Sequence, residues 1–306
     1  MKTVKKICLK TITPIHISSG EDFDDYNFFF YQDSIYIVDI DKVLKSRLSG
    51  QLKLMIDDFL KKNDKNDRFA IDNFIKKLRI LYNNNFQTLN NCGLIEDKIL
   101  LKHTSAEQRE RMRTEKIKKF IRYLDIEDNK EKIFIPGSSI KGAFVEVFVN
   151  YIRQKKEFIN ENEIRKSIGF SDFYFEKSNS WIQKITRIGK RQEENNRKER
   201  GVKIWAELVE GEAIGDIYFE DNQKISNLIN NIFLEGSTII KSKTRFNAPY
   251  SDNFSDLKNR LEEYEDLIIL LGFGSGSFEN TNKTPKTYFS YDDKNPLGVV
   301  SLSLEK

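Results

Sequence analysis

Cysteine and histidine, the residue types that build disulfide scaffolds and zinc sites, are nearly missing from this chain. Its 306 residues include two cysteines, Cys8 and Cys92, and two histidines, His16 and His103. These numbers exclude a disulfide-rich scaffold and a Cys/His zinc finger. No apolar run reaches the roughly 18 residues of a membrane-spanning helix. The first residues also lack the apolar centre of a secretion signal. The sequence therefore predicts a soluble cytoplasmic protein.

Nucleotide-binding and catalytic motifs are absent as well. The segment 136–142 has glycine and lysine but not the P-loop order GxxxxGK[ST]. The glycines of segment 272–278 differ in spacing from the dinucleotide fingerprint GxGxxG. His16 has no neighbouring nucleophile or second acid/base group, and the acidic residues form no paired-carboxylate motif for two metal ions. We therefore expect no cofactor, no metal and no catalytic residue.

Charge is abundant and nearly balanced. Lysine and arginine total 51, aspartate and glutamate total 47, and the net charge is +4. This balance excludes a histone-like polycation but allows local basic patches. Residues 184–203 carry eight basic and three acidic residues. Arg187, Lys190 and Arg191 therefore indicate either a mobile basic hairpin or loop beside nucleic acid or a solvated loop.

Hydrophobic periodicity predicts both strands and helices. Alternation predicts a first strand within 4–17 and a last strand at 300–304. Apolar runs on either side of turn residues predict a hairpin of 28–31 with 35–38, around Gln32-Asp33-Ser34, and two strands at 205–209 and 213–219, around Glu210-Gly211-Glu212. Apolar residues spaced three and four apart predict helices at 139–153, after Asp221 and at 257–271.

This order of elements predicts an α+β fold. We expect an RRM-like (ferredoxin-like) core made of residues 1–50 and 131–235. Residues 51–130 form a helical insertion in this prediction. Residues 236–306 form a C-terminal segment in which a helix and a glycine-rich loop return a strand to the sheet.

The segment from Gly137 to Lys141 is the first candidate site. A helix that begins here has unpaired N–H groups and about half a positive charge at its start. Ser138, Ser139 and Lys141 add hydroxyl and ammonium groups. This chemistry suits a phosphate or an RNA backbone, although an ordinary capped helix has the same pattern.

A second candidate is the glycine-rich loop with Gly272, Gly274, Ser275 and Gly276. Glycines permit close approach of the backbone to a ligand, and they also occur in flexible connectors. His16 lies at the end of the first predicted strand, before the Ser18-Ser19-Gly20 turn. Its role is either to orient this turn or to contact RNA.

These segments in this order resemble one family, the RAMP-superfamily CRISPR proteins. The chain is most like the fifth subunit of the Csm (type III-A) effector complex. The segments that carry the resemblance are Thr13-Pro14-Ile15-His16-Ile17-Ser18-Ser19-Gly20, Ile35-Tyr36-Ile37-Val38-Asp39, Ile135-Pro136-Gly137-Ser138-Ser139-Ile140-Lys141-Gly142, Arg245-Phe246, Gly272-Phe273-Gly274-Ser275-Gly276 and Pro296-Leu297-Gly298.

The resemblance implies a non-catalytic subunit that binds CRISPR guide RNA by its backbone. It would cap the 3′ end of the guide filament beside the third Csm subunit and be needed for guide maturation. The implied partners are guide RNA, target RNA, the other Csm subunits and a host trimming nuclease, with no membrane. The expected RNA contacts are His16, Ser19, Gly20, Gly137, Ser138, Ser139, Lys141, Arg187, Lys190, Arg191, Arg245, Gly272, Gly274, Ser275 and Gly276.

The alternative is a metal-independent endoribonuclease of the same superfamily that processes repeat RNA. In that enzyme His16 would act as general acid or base. Lys141 or Arg245 would stabilise the charge of the transition state. The lack of a second acid/base partner near His16 favours the non-catalytic interpretation.

Overall fold

A computed structural model gives the architecture of most of the chain. It describes residues 2–62, 67–104, 116–127, 130–157, 160–189, 203–220, 222–242, 257, 261, 264–272, 287–290 and 297–305. Over these ranges the protein is a mixed α+β fold with a large, mainly antiparallel sheet. No helix within them is both long and apolar enough to cross a bilayer.

Strands and helices alternate along the chain in blocks. The strands are β1 (Lys2–Thr11), β2 (Ser18–Asp22), β3 (Phe28–Tyr31), β4 (Ser34–Val38), β5 (Ile95–Leu101), β6 (Ile117–Phe120), β7 (Arg122–Asp125), β8 (Lys130–Ile135), β9 (Ile168–Phe170), β10 (Phe173–Gly189), β11 (Lys203–Glu220), β12 (Leu267–Leu270), β13 (Thr287–Ser290) and β14 (Val299–Leu304). The helices are α1 (Ile40–Lys45), α2 (Ser49–Lys62), α3 (Arg68–Asn84), α4 (Phe86–Asn91), α5 (Gly137–Gln154), α6 (Glu161–Ser167) and α7 (Gln223–Ser242).

The sheet is built around β1 and two long strands. Its main order is β12-β14-β1-β11-β10-β5-β4-β3. β11 pairs antiparallel with both β1 and β10, so β1 and β10 run in the same direction on either side of it. Helix α5 lies between β1 and β10 in the chain, and α7 lies between β11 and β14. The predicted terminal strand is confirmed, because β14 pairs antiparallel with β1.

Helices α5 and α7 cover one face of this sheet and form the main core. The apolar stripe of α5 includes Ile140, Phe144 and Phe148, which are at most 1% exposed. The Phe144 ring stacks on Phe148 at 5.6 Å and on Phe233 of α7 at 5.8 Å between centroids. The predicted helix is thus confirmed, and it begins two residues earlier than the periodicity suggested.

A second core lies under helices α1 to α4. Phe29 of β3 and Tyr36 of β4 stack with ring centroids 5.6 Å apart, which confirms the predicted hairpin. They pack against helix residues such as Val43, Leu78 and Tyr82. The N-terminal part of the segment 51–130 is therefore helical as predicted. In the described part of its remainder, the strands β5, β6 and β7 replace the predicted helices. The division of the chain into domains stays a prediction.

The helix predicted for residues 257–271 is wrong in its second half. Leu267–Leu270 forms β12, which pairs with β14, whereas Leu257 and Leu261 are helical. Leu267 and Ile269 face the main core, while Ile268 and Leu270 pack against Ile12, Leu257 and Val299. A strand covered on both faces has a continuous apolar run, which periodicity alone does not distinguish from a buried helix.

Candidate nucleic-acid interface

The start of α5 is held against the segment between β9 and β10. The Gly137 N–H donates to Oδ1 of Asp172 at 2.9 Å. A Cβ on Gly137 would lie 2.4 Å from the carbonyl oxygens of Phe170 and Ser171. Only glycine permits this approach, so the glycine predicted for phosphate binding has a packing role.

The carboxylate of Asp172 changes the chemistry expected at this helix start. The amides of Ser139 and Ile140 donate back to the Pro136 carbonyl, at 2.9 and 3.4 Å. Because Asp172 accepts from Gly137, the N–H groups of Gly137, Ser139 and Ile140 already have acceptors. What remains for an RNA phosphate is the exposed Ser138 and the half-buried Ser139 and Lys141. The structure thus favours side-chain contacts over an amide cradle.

An aromatic patch, which sequence reasoning missed, lies just before this helix. Tyr123 of β7, Phe134 of β8 and Tyr174 of β10 form mutual ring contacts at 5.1 to 6.4 Å between centroids. Phe134 and Tyr174 are cross-strand partners, and Tyr174 is 47% exposed. Each strand contributes a single ring, so the sequence contains no local signal for the patch. Exposed rings of this kind provide stacking surfaces for nucleic-acid bases.

His16 is buried at the end of the first strand region. Its residue exposure is 1%, and its Nδ1 lies 2.8 Å from the backbone carbonyl of Glu207. Because a carbonyl only accepts, Nδ1 carries the proton and donates. Burial lowers the pKa of His16 to about 4, so the ring is neutral at pH 7. The Phe120 ring packs edge-on against it at 6.0 Å between centroids. A contact between His16 and RNA stays a prediction, and this geometry places the ring inside the protein.

A buried ion pair lies directly beside His16. Glu207 is fully buried, and its Oε1 accepts from Nη2 of Arg122 at 2.5 Å. Its Oε2 accepts from the Phe120 N–H at 3.1 Å. Burial raises the pKa of the Glu207 carboxyl, and Arg122 opposes that rise. We call His16, Phe120, Arg122 and Glu207 the buried junction. Its signal in the sequence was a single acid within the apolar run Trp205-Ala206-Glu207-Leu208-Val209.

The first residue of the glycine-rich loop lies against this junction. Gly272 has φ +95°, and a Cβ there would lie 2.5 Å from the His16 carbonyl oxygen. Next to it, the Leu271 N–H donates to the Gly298 carbonyl at 2.7 Å, and the Gly298 N–H donates to Pro14 at 2.9 Å. The fold therefore brings His16 and Gly272 together. Gly274, Ser275 and Gly276 lie outside the described residues.

Ser19 and Gly20 lie at the surface on β2. The Gly20 N–H donates to Oγ of Ser18 at 3.0 Å, and the Glu21 N–H donates to Oγ of Ser19 at 3.1 Å. Gly20 has φ +88° in open space. The segment predicted as a Ser18-Ser19-Gly20 turn is therefore the start of β2, which pairs with β6 through a register shift. The RNA contacts of Ser19 and Gly20 stay predictions.

The basic segment predicted as a hairpin or loop begins and ends in two antiparallel strands, with Thr186 opposite Lys203. Residues up to Gly189 belong to β10, where Arg187 pairs with Phe289 of β13. The strand β11 resumes at Lys203. Lys190, Arg191 and Arg245 lie outside the described residues. Within those residues, no group of three metal-binding side chains could hold an ion.

Acid should destabilise the fold through His16. The unfolded ring titrates near pH 6.5 and the folded ring near pH 4, so between these values the unfolded state binds more protons. The free energy of unfolding should therefore fall by about 3 kcal/mol as pH falls through this window. In His16→Asn, whose amide retains a donor for Glu207, this part of the pH dependence should disappear. Urea titrations at successive pH values measure it.

The exposed His103 supplies the matched control. His103→Asn should keep the wild-type pH dependence. An identical pH dependence in wild type and His16→Asn would contradict the assigned burial of His16.

Alanine substitutions at Gly272 and Gly20 separate the cost of backbone strain from the cost of steric crowding. Both have positive φ, but a Cβ on Gly20 meets nothing within 4 Å. Gly20→Ala should therefore cost about 1–2 kcal/mol of unfolding free energy from φ alone. Gly272→Ala should cost clearly more, because the new Cβ also meets the His16 carbonyl. Equal losses in urea denaturation would show that Gly272 does not approach His16 closely.

Comparisons with known proteins agree with this architecture. A model of the RAMP superfamily matches residues 8–298. A search of curated protein sequences finds no match. A chain of a Csm–crRNA–target RNA ternary complex of a type III-A CRISPR–Cas system is similar in structure, with TM-score 0.59 and 13% identity over 99% of this chain and 100% of that one. Csm5 of T. onnurineus gives TM-score 0.55 and 14% identity over 96% and 99%.

At these identities the solved structures establish a shared fold. The family model adds a sequence match over nearly the whole chain, from the end of β1 to the residue before β14. This chain belongs to the RAMP superfamily.

Proposed function

We propose that this chain is a non-catalytic guide-RNA-binding subunit of a type III-A (Csm) CRISPR effector complex. In this role it caps the 3′ end of the guide filament and is needed for guide RNA maturation. The observation that carries the proposal is the similarity over 99% of the chain to a subunit of an RNA-bound Csm complex. Target RNA, the third Csm subunit and a trimming nuclease of the host are the further partners of this proposal.

The strand order supports an RRM-like core within this fold. β1, α5 and β10 form a β-α-β unit whose two parallel strands are separated by β11. β11, α7 and β14 form a second unit, whose strands are separated by β1. Two interleaved units of this kind make up a ferredoxin-like β-α-β-β-α-β sheet.

The surface near the start of α5 supports RNA binding. Ser138, Ser139 and Lys141 offer hydroxyl and ammonium groups to phosphates. Tyr174, the most exposed ring of the aromatic patch, belongs to β10 beside them and suits an unpaired base. Together they would grip an RNA strand with little preference for sequence.

The geometry of His16 supports the non-catalytic role over the endoribonuclease alternative. A general acid or base must come within hydrogen-bond reach of the RNA 2′-hydroxyl or the leaving oxygen. The His16 ring is 1% exposed, and its Nδ1 proton is held by Glu207. In this arrangement the ring stabilises the fold and does not reach a surface-bound strand.

Lys141 provides the test of RNA binding. Lys141→Ala should weaken binding of a repeat-derived guide RNA by about 10- to 100-fold, because it removes one charge-assisted phosphate contact. The slope of log affinity against log salt should fall by about one. Filter binding across a salt series measures both. The thermal midpoint should stay unchanged, since Lys141 forms no ion pair with any other described residue.

Lys166→Ala on α6 is the control, because it removes the same charge from another exposed surface. Equal effects of the two variants on affinity would contradict the site. The RNA should also be recovered intact on denaturing gels, with or without Mg²⁺. Cleavage by wild type that disappears in His16→Asn would overturn the proposal in favour of the endoribonuclease.

A further inference from the structure

The surface proposed to bind RNA contains the carboxylate of Asp172. This residue is exposed and lies between β9 and β10, where its Oδ1 accepts from the Gly137 N–H at 2.9 Å. Its carboxylate forms no ion pair and no other hydrogen bond with the described residues. Oδ2 therefore keeps its capacity to accept. A carboxylate is unexpected on a surface that binds phosphates, because the two anions repel each other.

Contacts within the protein fix the position of Asp172. The Ser171 N–H donates to the Asp216 carbonyl at 2.9 Å, and the Asp216 N–H donates to Oγ of Ser171 at 2.8 Å. The Ser171 hydroxyl in turn donates to the Asp172 carbonyl at 3.0 Å. The next residue, Phe173, is fully buried in the main core. The carboxylate is therefore in place before a ligand binds, which lowers the cost of ordering it.

Asp172 lies between the two groups of side chains proposed to contact RNA. On one side, its carboxylate binds the first residue of α5, which is followed by the exposed Ser138 and, one turn later, by Lys141. On the other side, Tyr174 is two residues further along the chain and is 47% exposed. A nucleotide has the same order, because its ribose lies between its phosphate and its base. A phosphate at Ser138 and Lys141 and a base on Tyr174 would therefore bring the ribose to Asp172.

The chemistry of a carboxylate determines which group of the ligand can bind to it. An ionised carboxylate only accepts hydrogen bonds, so a phosphate oxygen is excluded. The ribose 2′-hydroxyl is a donor, and hydrogen bonds from hydroxyls to carboxylates are short and strong. Acidic side chains bind the ribose 2′-hydroxyl in dinucleotide-binding proteins. Such a contact carries no sequence information, which agrees with recognition of the RNA backbone.

We propose that Asp172 accepts a hydrogen bond from the 2′-hydroxyl of a bound nucleotide and thereby makes the site selective for RNA over DNA. This inference rests on the proposed RNA-binding role and deepens it, because it names the group that distinguishes the ligand. A strand without the 2′-hydroxyl leaves the charge of Asp172 beside a polyanion with no hydrogen bond to offset the repulsion. The same residue therefore favours RNA and disfavours DNA.

The test compares single strands that differ only at the 2′ position of the sugar. Fluorescein-labelled oligouridine, its 2′-fluoro analogue and oligodeoxyuridine are titrated with the full chain, and fluorescence anisotropy measures their affinities. The 2′-fluoro strand keeps the sugar pucker of RNA, but its fluorine cannot donate a hydrogen bond. Wild type should bind oligouridine at least about tenfold more tightly than either analogue, because only oligouridine donates to the carboxylate.

Asp172→Ser separates the contact with the ligand from the support of helix α5. Serine keeps an oxygen that can accept from the Gly137 N–H, but it removes the charge and the second acceptor. The ratio of the affinities for oligouridine and the 2′-fluoro strand should fall to about one, and the 2′-fluoro strand should not bind more weakly than to wild type. Glu176→Ser is the control, because it removes an exposed carboxylate from the same strand, β10, and should keep the wild-type ratio.

Three results overturn the role of Asp172 and leave RNA binding itself in place. These are equal binding of oligouridine and the 2′-fluoro strand by wild type, equal ratios in Asp172→Ser and Glu176→Ser, and equal weakening of both strands in Asp172→Ser. The last result would mean that Asp172 only supports helix α5. Failure of wild type to bind oligouridine at all would overturn the proposed function and this inference with it.

Discussion

The buried carboxylate of Glu207 is the interaction on which the arrangement of the site depends. It lies inside the sheet on β11 and accepts from the Phe120 N–H and from Arg122, which brings the β6–β7 segment to the long strand. The carbonyl of the same residue accepts from His16. The His16 carbonyl in turn lies against Gly272, where the glycine-rich loop begins. One residue thus connects three distant parts of the chain.

The energetics of such a pair are asymmetric. Removing water from both charges costs about as much as their attraction returns, so the pair adds little net stability. Removing one partner leaves an uncompensated buried charge, at a cost of about 3–5 kcal/mol. The pair therefore determines which strands lie next to each other, and it adds little to the free energy of unfolding.

Local sequence patterns predicted the elements whose stability is local. Helix α5 could be predicted because Ile140, Phe144 and Phe148 repeat with helical spacing on one buried face. The β3–β4 hairpin could be predicted from two apolar runs around Gln32-Asp33-Ser34, and β14 could be predicted from alternation. Strand β12 could not, because burial on both faces removes the alternation. Strand β5 was missed because it follows α4 at the end of a strongly helical segment, and β6 and β7 were missed because each has only four residues.

The sequence indicated where α5 begins and where the glycine-rich segment lies, but not which residues these glycines contact. The Gly137 helix start and the Gly272 loop were found from glycine positions. The acceptor on Gly137 is Asp172, 35 residues away, and the partner of Glu207 is Arg122, 85 residues away. Pairs so far apart leave no periodic signal in a single sequence. The aromatic patch was missed for the same reason, since its rings come from three strands that only the fold brings together.

The central claim is that the chain acts as an RNA-binding subunit of a Csm complex. The most direct measurement is affinity purification of the tagged protein from cells with a type III-A CRISPR locus, with sequencing of the bound RNA and mass spectrometry of the bound proteins. The account predicts guide-sized RNA with a repeat-derived 5′ tag, together with the third Csm subunit. Recovery of the protein without guide RNA and without other Csm subunits would contradict it.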